Sequence, residues 1–354
     1  MHKNYIYTIG LMSGTSLDGV DLAYVKINKN KYSDFELLQA TTISYSGEWK
    51  MKLKKAIFFP DEELVKINDE YALLLSTIIN EFVDEYKIDK LDFIASHGHT
   101  VLHQPEKGVT LQIGNGQIIA NETNHKVICD FRTQDVKLGG QGAPLVPIGD
   151  KLLFSDYDYC LNLGGFANVS YQENTKRIAF DICPVNIVLN HYVEKMNLAY
   201  DDEGKIAAGG KINNELLLKL NSLSFYSYQA PKSLGLEWVQ SNILPLIDKE
   251  ESSIENILRT FVEHIAMQIG SVLQKGSSIL ATGGGVFNKF LISRIAYYAS
   301  NKITIPTKML IDYKEALIFS LLGVLKDNNE INCLQSVTGA KKDHSSGVVF
   351  YPQN

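Results

Sequence analysis

Residues 10–21 read GLMSGTSLDGVD and lie between two apolar runs. Three glycines, three hydroxyl residues and two aspartates in one short stretch suit contact with an anion. Glycine lets backbone N–H groups approach phosphate oxygens and takes positive φ. The hydroxyls of Ser13, Thr15 and Ser16 add donors, and Asp18 and Asp21 beside a phosphate require a cation between them, usually Mg2+. Two later segments have the same character. LNLGGFANVS carries Asn162, Gly164, Gly165 and Asn168, and ATGGGVFN carries Gly283, Gly284 and Gly285. One glycine-rich turn can serve turn geometry alone, whereas three in one chain read as phosphate cradles. None has the GxxxxGK[ST] or GxGxxG spacing.

Other side chains could do chemistry beside such cradles. His97, His99 and His103 crowd the segment HGHTVLH, and the last two have the HxxxH spacing of a helical metal site. Gly98, Thr100, Val101 and Pro105 argue against a helix there, which leaves His97 as a ligand-lining residue or as a buried, hydrogen-bonded one. Arg132, in CDFRTQD, is suited to grip a carboxylate or a transferring phosphoryl group. The plain alternative is an ion pair with Asp130 or Asp135. Glu315 opens an apolar helix, where the helix dipole alone would favour it.

These residues need elements to position them. YIYTIGLM and VDLAYVKI read as strands flanking the first glycine-rich stretch, with FELLQATTISYS as a third. INDEYALLLSTIINEFVDEYKI has helical apolar spacing. LDFIASHG reads as a strand ending at its glycine, with His97 at that end, and KVICDF as another. Near residue 150 the pattern recurs: YDYCLNLGGFANVSYQ is again strand, glycine-rich turn and strand, followed by the helix SIENILRTFVEHIAMQIGSVL and the strand SSILATGGG. Two related α/β halves are expected, with ligands at the carboxyl ends of strands.

Composition sets the outer limits. A chain of 354 residues, 45% hydrophobic, has room for two domains. A formal net charge of −6 argues against general binding to nucleic acid or an anionic membrane. The four cysteines form neither CxxC nor a zinc-ligand spacing, and no apolar run is long enough for a bilayer. Without a signal-like start, a cytoplasmic protein is expected.

Several segments together resemble the anhydro-N-acetylmuramic acid kinases of the sugar kinase/Hsp70/actin superfamily. Besides GLMSGTSLDGVD they are SHGHTVLHQP, LQIGNGQIIA, VICDFRTQDVKLGGQGAPLVP, LNLGGFANVS, SVTGA and EALIFS, in the family's order along essentially the whole chain. The resemblance implies a two-domain actin-like ATPase (ribonuclease H-like) fold, each domain a mixed five-stranded sheet with flanking helices, and a cleft between them. Residues 1–145, joined by the tail 330–354, would form one domain and 146–329 the other. It implies hydrolytic opening of a 1,6-anhydro sugar and phosphorylation of O6 in murein recycling, with ATP and Mg2+ as cofactors. The partner would be a small sugar rather than nucleic acid or membrane, and a homodimer is expected. A kinase for another sugar, or a chaperone-like or regulatory ATPase of the same superfamily, are the rival readings.

The resemblance also assigns roles. The base that activates water would be Asp181, in FDICPVN, although an aspartate between a strand and a helix also suits an N-cap. The family form FDTGPGN has Thr and two glycines where this chain has Ile182, Cys183 and Val185, which puts the exact sugar in doubt. Ser13, Gly14, Thr15, Ser16, Leu17, Asp18, Gly19, Val20 and Asp21 would hold phosphate, with Gly14 and Thr15 amides at the transferred group. Asn162, Gly164, Gly165, Asn168 and Gly283–Gly285 would hold nucleotide. Asp18, His97, Arg132, Asn186 and Glu315 would meet the sugar, Asp18 also reaching the metal through water. Arg132 would suit the lactyl carboxylate. Lys232 and Ser233 match a segment near the nucleotide whose usual arginine is absent here.

Overall fold

The computed structural model describes residues 4–14 and 17–353. Thr15 and Ser16, expected at the phosphate, lie outside the described residues. The chain divides into two compact units, one running to Leu153 and resuming at Tyr313, the other spanning Phe154–Asp312.

In the first unit, β1 (Tyr5–Ser13), β2 (Gly19–Asn28) and β3 (Phe35–Ser44) form an antiparallel meander. Strand β4 (Phe93–Gln104) runs parallel to β1, and β6 (Val127–Cys129) parallel to β4. Two strands extend the five expected to seven. One is β5 (Val109–Ile113), antiparallel to the far half of β4, and the other is β12 (Val348–Phe350), antiparallel to β6. Strand β4 therefore does not stop at Gly98. The glycine sits at φ +71 beside an irregular register, and the strand continues because Thr100 and Leu102 find partners on β5.

The second unit has the five expected strands. The meander is β7 (Tyr159–Leu163), β8 (Phe166–Glu173) and β9 (Lys176–Pro184). Strand β10 (Ile279–Thr282) is parallel to β7, and β11 (Ile303–Thr304) parallel to β10. Within the two sheets, β3-β2-β1-β4-β6 and β9-β8-β7-β10-β11 have the same order and the same sequence of antiparallel and parallel pairs. The α/β class and the internal repeat are both visible in this topology.

Helix α1 (Asp61–Glu85) covers the first sheet. It buries Leu64, Ile67, Tyr71, Leu75, Ile79 and Phe82 at helical spacing, and three acids in its first turn complement the dipole. Helices α2 (Thr133–Lys137) and α3 (Val146–Leu153) follow β6. In the second unit, α4 (Asn186–Glu194) follows β9, and α5 (Ile254–Val272) buries Leu258, Phe261, Ile265 and Ile269 in the core.

Helix α6 (Lys308–Asp327) kinks at Tyr313, where φ is −113° and ψ 16°. The change of unit falls at that kink, so 313–327 belongs with the first unit and not with 146–329 as expected. Close packing explains this. A Cβ on Gly10 of β1 would lie 1.9 Å from the Ala316 carbonyl oxygen, and one on Gly323 would meet Phe93 at 2.6 Å. Among the described residues, no helix is long and apolar enough to cross a membrane.

Candidate active site

In the first unit, His97 and Arg132 touch. Arg132 Nε donates to His97 Nε2 at 3.0 Å, and Arg132 Nη1 donates to the Gly142 carbonyl at 2.6 Å. An Nε2 that accepts from a guanidinium carries no proton, so His97 is neutral with its proton on Nδ1. Burial, and then the Arg132 charge, hold His97 well below the usual histidine range. Its ring packs on Phe319 with centroids 4.7 Å apart, and Nδ1 is buried without a hydrogen-bond partner among the described residues. Arg132 makes no ion pair with Asp130 or Asp135. Asp135 is occupied elsewhere, and Asp130 accepts from the Thr133 amide at 3.2 Å.

Glu315 lies two residues past the kink rather than at a helix start. The protein packed around it pushes its carboxyl up, opposed by Arg132 and Lys314, while Asp21 pushes the same way. The unit thus gathers His97, Arg132, Glu315 and Asp21 electrostatically. Asp21 itself accepts from Thr42 Oγ1 at 2.6 Å.

The first glycine-rich stretch is the β1–β2 hairpin tip. Gly14 is half-buried, Leu17 is buried at φ +59, and Leu17 N donates to Gly14 O at 3.3 Å. Asp18 is exposed, and no hydrogen bond ties it to other described residues. Val20 is buried in the core. Gly19 is needed by the sheet: a Cβ there would lie 2.3 Å from Ile43 O. The Ser13 hydroxyl is already engaged, 2.6 Å from Tyr45 OH and 2.9 Å from His99 Nδ1.

In the second unit, Thr282, Asn162, Asn168 and Asp181 are successive register partners across β10, β7, β8 and β9. Directly paired residues share a face of the sheet, so one row carries three polar side chains and a carboxylate. The row lies at the carboxyl ends of the parallel strands, where open α/β sheets place ligands. Asp181 is within β9 rather than after it, and Val185, not Asp181, is the N-cap position of α4. Its Oδ2 accepts from the Leu234 amide at 2.8 Å. Burial pushes the carboxyl above the usual aspartate range, with that amide opposing.

The glycine-rich turns meet beside this row. Gly165 O accepts from Val185 N at 2.8 Å, and Gly164 O accepts from Asn186 N at 3.3 Å. Asn186 Nδ2 donates to Leu163 O at 3.5 Å. Gly283 has φ +84, and a Cβ there would lie 2.6 Å from Asn162 Oδ1 and 2.7 Å from Leu163 O. Gly284 faces open space and Gly285 is buried against Leu163. Asn162, Gly164, Gly165, Asn168, Asp181, Asn186 and Gly283–Gly285 are therefore neighbours.

Two departures from the expected pattern resolve differently. Ile182, Cys183 and Val185 are all buried in the second unit's core, so none of the three presents its side chain at the surface. Lys232 stands over the Phe225 ring at 4.7 Å and donates to Phe225 O at 3.3 Å, while Ser233 is exposed and Leu236 stands where the arginine is missing.

Two features escaped sequence reasoning. Tyr71, Tyr45, Ser13 and His99 form one buried chain of hydrogen bonds, 2.6, 2.6 and 2.9 Å long. It joins residues distant in sequence, so no local signal marks it. A cavity of about 300 Å³ lies beside His97, lined also by Asn68, Gln112, Asn115, Asp130 and Thr133. Gln112 Oε1, like His97 Nδ1, is buried without a hydrogen-bond partner among the described residues. The segment LQIGNGQ was the available signal for Gln112 and Asn115.

The family model described as Anhydro-N-acetylmuramic acid kinase matches residues 6–352. A protein of that name from Bacillus cereus (strain Q1) is 33% identical, over 98% of this chain and 100% of its own length. One from Bacillus thuringiensis (strain Al Hakam) is 32% identical over 99% and 100%. Among solved structures, the Acidaminococcus fermentans (R)-2-hydroxyglutaryl-CoA dehydratase component A aligns with TM-score 0.46 at 13% identity, covering 91% of this chain and 99% of its own. Plasmodium falciparum glycerol kinase with ADP aligns with TM-score 0.43 at 8% identity, covering 98% and 94%. Likenesses this loose have no bearing on function.

Proposed function

Because the chain belongs to the anhydro-N-acetylmuramic acid kinase family, we propose that it opens the ring of 1,6-anhydro-N-acetylmuramic acid with water and phosphorylates the freed O6 from ATP. The products are N-acetylmuramic acid 6-phosphate and ADP, within murein recycling. The enzyme is a kinase, in line with the names of its curated relatives.

The observation that carries the reading is Asp181: a partly buried carboxyl, raised by burial, with one oxygen held by Leu234 N. A base raised toward the working pH is a better proton acceptor. Asp181 Oδ1 takes a proton from water as the water oxygen bonds to the anomeric carbon. The bond from that carbon to O6 breaks, and its electron pair goes to O6. O6 then bonds to the γ-phosphorus and ADP leaves, an in-line transfer that rests mainly on positioning and charge.

The row of Asn162 and Asn168 and the turns at Gly164–Gly165 and Gly283–Gly285 provide donors and close backbone for nucleotide phosphates, with Asn186 beside them. In the first unit, the hairpin backbone at Gly14 offers an amide to a phosphate oxygen. Arg132 grips the lactyl carboxylate, neutral His97 offers Nδ1–H, and Glu315 accepts from a sugar hydroxyl. A divalent cation such as Mg2+ fits the exposed Asp18 carboxylate through water and would neutralise phosphate charge.

Incubation with ATP, Mg2+ and 1,6-anhydro-N-acetylmuramic acid tests this by product analysis. Phosphate on the sugar supports the proposal. Free phosphate with unchanged sugar would instead indicate a regulatory ATPase.

A further inference from the structure

Asp135, Cys333 and His344 form a buried cluster in the first unit. They are 0%, 1% and 5% exposed, and their ligand atoms lie within 4.8 Å of one another. Cys333 and His344 pair across an antiparallel bridge with reciprocal backbone hydrogen bonds of 3.1 Å, which turns both side chains to one side. Cys333 Sγ lies 3.0 Å from Asp135 Oδ1, and His344 Nε2 lies 3.6 Å from the same oxygen.

The histidine shows what the cluster needs. Its Nδ1 sits 3.1 Å from the Lys342 carbonyl, so Nδ1 carries the proton. Nε2 lies 3.6 Å from the Asp135 carboxylate oxygen and is buried without a hydrogen-bond partner among the described residues. A buried ring nitrogen left without a hydrogen bond beside a carboxylate is costly, and a metal ion between them would relieve it. A histidine that donates one N–H to a backbone carbonyl while its other nitrogen faces a thiol and a carboxylate has the outer-shell arrangement of a metal ligand. The carboxylate is likewise braced, Asp135 Oδ2 accepting from Gly142 N at 2.7 Å.

We propose that Asp135, Cys333 and His344 bind a structural divalent transition metal, with zinc the best match. Thiolate, imidazole and carboxylate are zinc donors, and the three ligand atoms already lie within 4.8 Å of one another. On binding, the Cys333 Sγ–H bond breaks, sulfur bonds to the metal and the proton leaves to solvent. The Thr338 hydroxyl donates to Asp135 Oδ1 at 2.7 Å and helps hold the carboxylate. The ion would clip the tail bearing Cys333 and His344 to the loop at Gly142, whose carbonyl anchors Arg132. No local spacing announces this site, because Asp135 is distant in sequence from the other two residues.

The full chain, expressed with zinc and purified without chelator, should carry about one zinc per chain by elemental analysis. Replacement with Co2+ should give a sulfur-to-cobalt charge-transfer band in the near ultraviolet. Cys333→Ser and His344→Gln should each lose most of the zinc and the wild type's loss of thermal stability on chelation. A wild-type protein without zinc, without the cobalt band and indifferent to chelator would overturn the proposal and leave a hydrogen-bonded anchor. The cobalt spectrum of wild type decides the matter even if the variants fail to fold.

Discussion

Arg132 Nε donates to His97 Nε2 at 3.0 Å, and that bond sets both the charge and the orientation of the imidazole. It fixes the proton on Nδ1 and leaves the outer guanidinium nitrogen, Nη2, without a hydrogen bond to the described residues. An arginine tethered at two points is a pre-organised fork for an anion, which lysine cannot reproduce.

Arg132→Lys should therefore raise KM for the anionic sugar by roughly ten- to a hundredfold, the worth of one charge-assisted hydrogen bond. KM for ATP should change less. Steady-state kinetics on both substrates checks this, and an equal effect on both would place Arg132 at the phosphoryl group instead.

Asp181 should trade stability for activity. Its carboxyl is raised in the folded protein, so between the usual aspartate range and the raised value the native state binds more protons than the unfolded chain. Stability falls as pH rises through that window, and at neutral pH the charged carboxylate is a burden. Asp181→Asn should melt at the same temperature as wild type or higher at pH 7, while turnover drops by roughly 10²–10⁴-fold. The acid limb of wild-type activity should lie above the ordinary aspartate range.

The Tyr71–Tyr45–Ser13–His99 chain predicts acid lability. Burial lowers His99 to about 4, from 6.5 in the unfolded chain. Between those values the unfolded chain binds more protons, so each step down in pH favours unfolding. Denaturation midpoints should fall as pH drops from about 6.5 toward 4, and His99→Gln should flatten the slope.

Packing of helix α6 on β1 rests on a missing side chain. Gly10→Ala would drive a Cβ to 1.9 Å from the Ala316 oxygen and should cost about 3 kcal/mol. Gly47→Ala, with nothing within 4 Å, should be neutral or stabilising by up to about 1 kcal/mol. Chemical denaturation of the two variants compares them directly.

Much of this architecture was legible because it follows local patterns. The meander strands, the long amphipathic helix and the glycine-rich turns each announce themselves over a few residues. Gly98 misled because a glycine reads as a stop, whereas here it makes a positive-φ irregularity and β5 pulls the strand onward. The division at Asp312/Tyr313 was hidden because helix α6 is continuous in pattern; tertiary packing, as at Gly10, Gly323 and Phe319, assigns its second part. Asp181 looked like a possible helix cap until β9 was seen to run through it to Pro184. The departures at Ile182, Cys183 and Val185 looked like changes to a pocket, and burial shows them to be core.

The central claim is that Asp181 activates the water that opens the ring. The most direct measurement is turnover of 1,6-anhydro-N-acetylmuramic acid with Mg2+ and ATP in ¹⁸O-labelled water, with mass analysis of the sugar phosphate, beside Asp181→Asn. One solvent oxygen in the wild-type product and almost no product from the folded variant is the predicted result. Undiminished labelled product from Asp181→Asn, or a wild-type sugar phosphate without solvent oxygen, would contradict it.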